Sequence, residues 1–253
     1  MAALDSTQRF SNRVENYVKY RPRYPAAIVD FLGDAIGLTA ETTVADVGSG
    51  TGFLAELFLQ NGNCVVGVEP NAEMRTAGDD YLRKFPRFSS VDGTSEATTL
   101  ADQSVDLIVA GQAFHWFEPL QTRAEFARML RSGGHVALVW NSRRLDVPFM
   151  QEYEEILHKF TDNYGGVSER NILDENIAAF FAPQPMQLQM FDNVQVFDFD
   201  GVKGRALSSS YAPAPGRPLH EPFVAALADL FARFEENNRV QIQYVTRLYW
   251  GQL

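Results

Sequence analysis

Cysteine is almost missing from this chain: Cys64 is the only one in 253 residues. A single thiol excludes an intrachain disulfide framework, and Cys64, inside an apolar run, reads as a small buried hydrophobe. Basic charge is also short, with 22 Lys and Arg against 32 Asp and Glu and a formal net charge of −10. No basic run offers the phosphate-neutralising footprint that nucleic acid needs, so a nucleic-acid substrate is disfavoured, although a local patch would still allow one. Apolar runs long enough to cross a bilayer are absent, and no membrane partner is expected. The start, Met1-Ala2-Ala3-Leu4-Asp5, lacks the basic region and apolar core of a signal peptide, so a cytoplasmic location is expected. Internal repeats and low-complexity stretches are missing too. What remains is an ordinary globular composition, 45% hydrophobic and 21% charged, in a chain long enough for one doubly wound sheet with added helices.

The most informative stretch is Val44-Ala45-Asp46-Val47-Gly48-Ser49-Gly50-Thr51-Gly52. An apolar run stops at three alternating glycines, and a helical period starts at Phe53, which predicts a buried strand, a tight turn and a helix start. Three glycines allow positive φ and remove every Cβ at the turn, so a flat ligand can lie against the backbone. The dinucleotide fingerprint G-x-G-x-x-G would require a glycine at position 53, where Phe53 stands. Asp46, just before the turn, would repel a phosphate. The next strand, 64–68, ends at Glu69, 17 residues beyond Gly52. A carboxylate there can accept hydrogen bonds from both ribose hydroxyls and argues against a 2′-phosphate. The ligand inferred is a nucleoside with a free ribose and no pyrophosphate.

These residues resemble the class I S-adenosylmethionine-dependent methyltransferases, whose first motif is acidic-x-Gly-x-Gly-x-Gly after a strand and whose second is an acidic residue ending the next strand. The resemblance implies that Asp46, Gly48, Ser49, Gly50 and Gly52 cradle the cofactor, S-adenosyl-L-methionine, and that Glu69 with Pro70 holds its ribose. The leader Tyr17-Val18-Lys19-Tyr20-Arg21-Pro22-Arg23-Tyr24-Pro25 is similar to that of small-molecule methyltransferases of the trans-aconitate type. By that likeness Tyr20 and Arg21 face the methionine carboxylate; by itself the same pattern is an aromatic stripe fastening a helix to the domain. Asp92-Gly93-Thr94-Ser95-Glu96 follows the third strand, and the resemblance puts Thr94, Ser95 and Glu96 against the adenine; a solvated turn is the alternative.

Residues 105–110 read as a central strand opening into Gly111-Gln112-Ala113-Phe114-His115-Trp116-Phe117. In open α/β sheets ligands bind outside the carboxyl ends of the strands, and aromatic faces there favour a sulfonium cation. The resembled family carries Gln-Ala-x-His-Trp at this place. Gln112 is the expected cofactor contact, His115 the candidate catalytic base, and His115 and Trp116 the candidate substrate contacts; a packing role for His115 stays open. His135 opens the fifth strand, at the wrong end for catalysis. Arg143 and Arg144 leave its other end, either as solvated surface or as a bidentate grip on a carboxylic-acid substrate. No metal site is expected.

The whole chain, 1–253, is expected to be one methyltransferase domain on an α/β, Rossmann-like, doubly wound seven-stranded sheet, mostly parallel with an antiparallel strand near the C-terminus. Its expected parts are a helical cap at 1–40, a cofactor-binding core at 41–145, a helical lid insertion at 146–186, and strands and a helix completing the sheet at 187–253. The chemistry expected is methyl transfer to a small molecule, releasing S-adenosylhomocysteine. Two alternatives remain: a non-catalytic S-adenosylmethionine-binding protein, and a nicotinamide-dependent oxidoreductase, against which Phe53 and the lack of a Tyr-x-x-x-Lys pattern count. Oligomeric state is left open.

Overall fold

Apolar strand runs alternate with helical periods along most of this chain, a pattern that builds parallel sheets by crossover. The computed structural model describes residues 19–161, 174–209 and 211–253. In chain order the elements are α1 (Ala27–Ile36), β1 (Thr43–Val47), α2 (Phe53–Gln60), β2 (Cys64–Val68), α3 (Ala72–Leu82), β3 (Phe88–Val91) and β4 (Val105–Gly111). A 3-10 turn (Phe114–Trp116) leads to α4 (Pro119–Met129), β5 (Leu130–Arg143), α5 (Pro148–Phe160), α6 (Asp174–Phe181), β6 (Gln187–Phe197), α7 (Phe199–Leu207), α8 (His220–Phe234) and β7 (Val240–Gly251). Tyr17 and the Gly165-Gly166 break proposed from the sequence lie outside the described residues.

The strands form one seven-stranded sheet in the order β3-β2-β1-β4-β5-β7-β6. β3, β2, β1, β4 and β5 run parallel, and β7 lies antiparallel between β5 and β6. Strand order reverses between β1 and β4, so their carboxyl ends form the crevice where such sheets bind ligands. Two apolar layers sandwich the sheet. One packs α4 and α6 through Phe126, Ile177 and Phe180 against Ala45, Ile108 and Leu138. The other packs α1 and α2 through Ile28, Leu32, Leu54 and Phe58 against Val44, Leu107 and Val139. A third cluster joins α5, α7 and α8 to the start of β7 through Tyr153, Val202, Phe223 and Ile242.

Two expectations need correction. Cys64 is exposed, because it opens β2 beyond the helices that cover the strand's later residues. β5 starts at Leu130 instead of His135: Val105 pairs with Leu130, and the register then jumps to Leu107 with His135, leaving 131–134 as a bulge with Gly133 at φ 80°. In the described part of the insertion between β5 and β6, α5 belongs to the third cluster, while Ile177, Phe180 and Phe181 of α6 are buried against α4 and the sheet.

Candidate functional site

The first turn of the crevice is built by backbone that most residues could not adopt. Gly48, Gly50 and Gly52 all have positive φ, at 69°, 56° and 82°. A Cβ on Gly48 would meet the Ala113 methyl at 2.7 Å, and one on Gly52 would meet Leu82 at 2.4 Å. Two of the three glycines are therefore required by the protein's own packing. Gly50 is the open one, with only the Met74 methyl at 3.4 Å. The Gly48 and Ser49 amides both donate to the Val68 carbonyl, which locks the turn onto the end of β2.

Glu69 closes the other side. Its Oε2 accepts the Gly50 amide at 2.8 Å and its Oε1 accepts the Asn71 amide at 2.9 Å. Asn71 in turn caps α3, its Oδ1 accepting from the Glu73 and Met74 amides, and Arg75 donates to the Glu69 carbonyl. Burial raises the Glu69 pKa against the pull of those amides. Asp46 sits one layer deeper, 1% exposed, where its Oδ2 accepts the Ala55 amide at the start of α2. Burial pushes its pKa up to about 7, and Glu69 nearby adds to the shift.

Three buried polar atoms around this crevice have no hydrogen-bond partner: Asp46 Oδ1, Thr51 Oγ1 and Gln112 Oε1. Buried polar atoms are normally satisfied, so three orphans near the ends of β1 and β4 stand out. Gln112 is held there in the left-handed region at φ 56°, its amide nitrogen donating to the Asn141 carbonyl at 3.1 Å. A strained non-glycine residue beside a crevice is common at functional sites.

Sequence comparison agrees with this geometry. The family profile described as "Methyltransferase domain" matches residues 45–138, from β1 through most of β5. An uncharacterized methyltransferase of Mycobacterium tuberculosis is 37% identical over 159 residues, covering 62% of this chain and 62% of that protein. Another from Schizosaccharomyces pombe is 32% identical over 151 residues, covering 59% of each. The chain thus spans about three-fifths of these relatives. A solved structure from Anaeromyxobacter dehalogenans, assigned as a type II methyltransferase, has a TM-score of 0.71 at 21% identity, with 92% of this chain and 98% of that one covered.

Residues 45–138 are thus similar to a methyltransferase domain, and the chain shares the fold of a solved methyltransferase.

Around that domain the sequence-predicted residues divide. In the loop after β3, a short bridge pairs Thr94 with Ala97. Ser95 donates to Glu96, whose Oε1 accepts the Glu118 amide beside Pro119, where α4 starts, at 2.9 Å. Burial opposes ionisation of Glu96, but the Glu118 amide and the Ser95 hydroxyl outweigh it and the pKa is lowered. These two side chains tie the loop to the start of α4. Trp116 is exposed, and the His115 ring lies 4.7 Å from the Trp116 ring at the outer rim of the 3-10 turn.

Tyr20 and Arg21 pack against β6 and α7. The Tyr20 ring stands edge-on to Phe197 and over Gly204, and Arg21 donates to the Ser208 carbonyl at 3.4 Å, beside α7. The leader crosses the carboxyl ends of the strands as a strap. Gln195 donates to the Tyr20 carbonyl, while Asn193 and Asn141 both donate to the Arg23 carbonyl, at 2.7 and 3.3 Å. Arg23, to which the sequence reading gave no role, has its guanidinium 3.5 Å above the Phe53 ring, directly after Gly52. The signal was available as a second arginine two positions past Arg21.

Arg143 and Arg144 do not converge on one substrate. Successive residues of an extended strand point to opposite faces. Arg143 turns inward to Glu154 of α5 at 3.0 Å, their side chains 4% and 8% exposed. Arg144 turns outward to Asp146 at 2.7 Å and Asp192 at 3.5 Å. Among the described residues no group of His, Cys, Asp and Glu side chains is arranged to hold a metal ion, and no helix is long and apolar enough to cross a membrane.

Proposed function

We propose that this chain transfers the methyl group of S-adenosylmethionine to a small-molecule acceptor in the cytoplasm. The observation that carries the reading is the crevice itself: open backbone at Gly50, a carboxylate at Glu69, and orphaned polar atoms on Asp46, Thr51 and Gln112. These suit an adenosine joined to an amino acid. Glu69 accepts the ribose hydroxyls, Gly50 and its neighbours leave room for the sugar and sulfur, and Asp46, Thr51 and Gln112 take the remaining donors and acceptors. Arg23, above Phe53, supplies the positive charge that a terminal carboxylate requires. Thr94 and the backbone of its loop border the adenine.

The cofactor supplies a methyl group already activated on a sulfonium. The chain's contribution is position, and holding two reactants in line is worth about 7–11 kcal/mol. Phe114 and Phe117, 5.9 Å apart edge to face, exclude water beside β4. His115 at the rim takes the proton where the acceptor must lose one, a contribution of about 10²–10⁴-fold. With Arg143 committed to Glu154, a carboxylic acid gripped by both arginines has no support in this geometry.

Incubation with labelled methyl donor across panels of small acids, phenols and amines tests the reading. Transfer to one class supports it. Tight S-adenosylhomocysteine binding without transfer to any acceptor would leave a binding protein only, and binding of a nicotinamide dinucleotide in its place would refute both.

A further inference from the structure

β6 is the last strand of the sheet, and among the described residues it pairs only with β7, over 11 positions without a register shift. Alternate positions of β6 form one row, in which Leu188, Met190, Val194 and Val196 are 41, 55, 46 and 56% exposed. Asp192 stands at the centre of that row and is the strand's only charge. Edge strands usually block association with charges, proline or bulges, and this one carries a regular apolar row.

The row is also symmetric about Asp192. Antiparallel pairing with a second copy about an axis through Asp192 sets Met190 against Val194 and Leu188 against Val196, on both sides of the axis. A two-fold interface must be self-complementary in this way. Like charges opposite each other oppose pairing, so Asp192 against its own copy would be unfavourable alone. Arg144 lies 3.5 Å from Asp192, and each copy therefore brings a guanidinium to the same point. An open hollow of about 370 Å³ bounded by Arg144, Asp146, Met190, Phe191, Asp192 and Val245 leaves space there for the partner's side chains. We propose that two copies of this chain join edge to edge along β6, continuing one sheet through both.

Sedimentation equilibrium on the full chain tests this, with the expected species at twice 28.4 kDa. The double variant Met190→Lys/Val194→Lys should raise the dimer dissociation constant at least about tenfold. Leu120→Lys, at a site 80% exposed on α4, should leave it unchanged. In a Cys64→Ser background, Asp192→Cys should cross-link to its own copy under mild oxidation, since directly opposed strand residues have a separation that a disulfide spans. Val194→Cys in the same background, four positions out of register with its own copy, should not. A monomer at every concentration would overturn the proposal. So would a dimer indifferent to the lysine pair, or a monomeric wild type that the lysine pair destabilises, since the chain would then cover this row itself.

Discussion

The Glu69 carboxylate accepts the Gly50 amide at 2.8 Å, joining the end of β2 to the one glycine of the turn whose Cβ position is open. That contact brings the two parts of the crevice into register: the bare backbone and the acid. It also separates the glycines that the packing requires from the one whose Cβ position is open.

Gly52→Ala should lower stability by about 1–3 kcal/mol, because a methyl at φ 82° is strained and would stand 2.4 Å from the fully buried Leu82. Gly50→Ala should cost less in stability and more in S-adenosylhomocysteine affinity. Thermal melts and calorimetry on the two variants separate these effects. Equal losses of both quantities in both variants would contradict the division.

The strap gives a second contrast. Arg23→Ala should weaken S-adenosylhomocysteine binding about tenfold, the usual cost of losing a charged hydrogen-bond donor. Arg21→Ala, whose side chain reaches Ser208, should change it far less. The reverse ranking would restore the sequence-based assignment of Arg21.

Asp46 makes stability depend on pH. Its folded pKa, about 7, lies above the ordinary 3.8, so the folded state favours the neutral acid. The contribution is fully present below about pH 4 and is lost as pH rises toward 7, by a few kcal/mol in all. Asp46→Asn should therefore gain stability relative to wild type across that window. Chemical denaturation of both proteins at pH 4, 6 and 8 measures the widening gap, and a constant gap would contradict it.

Arg143 and Glu154 form a buried pair, and removal of one partner from such a pair costs about 3–5 kcal/mol. Glu154→Ala should show that loss in denaturant melts. Arg144→Ala, which breaks only exposed pairs, should cost far less than that, and neither change should alter methyl-donor affinity.

Much of this was legible in the sequence. The run 44–52 announced strand, turn and helix, and the spacing to Glu69 picked out the acid that closes the turn, because local backbone demands and residue chemistry coincide there. The antiparallel final strand followed from resemblance. Less legible were features set by distant contacts. Tyr20 and Arg21 were assigned by motif, but Asn141 and Asn193 fix where the strap crosses, and nothing near residue 20 encodes them. The bulge at 131–134 depends on which β4 residues β5 meets. The opposite directions of Arg143 and Arg144 were implicit in strand alternation, and adjacency in sequence concealed it.

Isothermal calorimetry of S-adenosylhomocysteine binding to the wild type and to Glu69→Ala tests the central claim most directly. Each hydrogen bond to that carboxylate is worth about 1.5–3 kcal/mol, so the wild type should bind and the variant should bind at least tenfold more weakly while melting cooperatively. Undiminished binding by Glu69→Ala, or no binding by the wild type, would contradict the account.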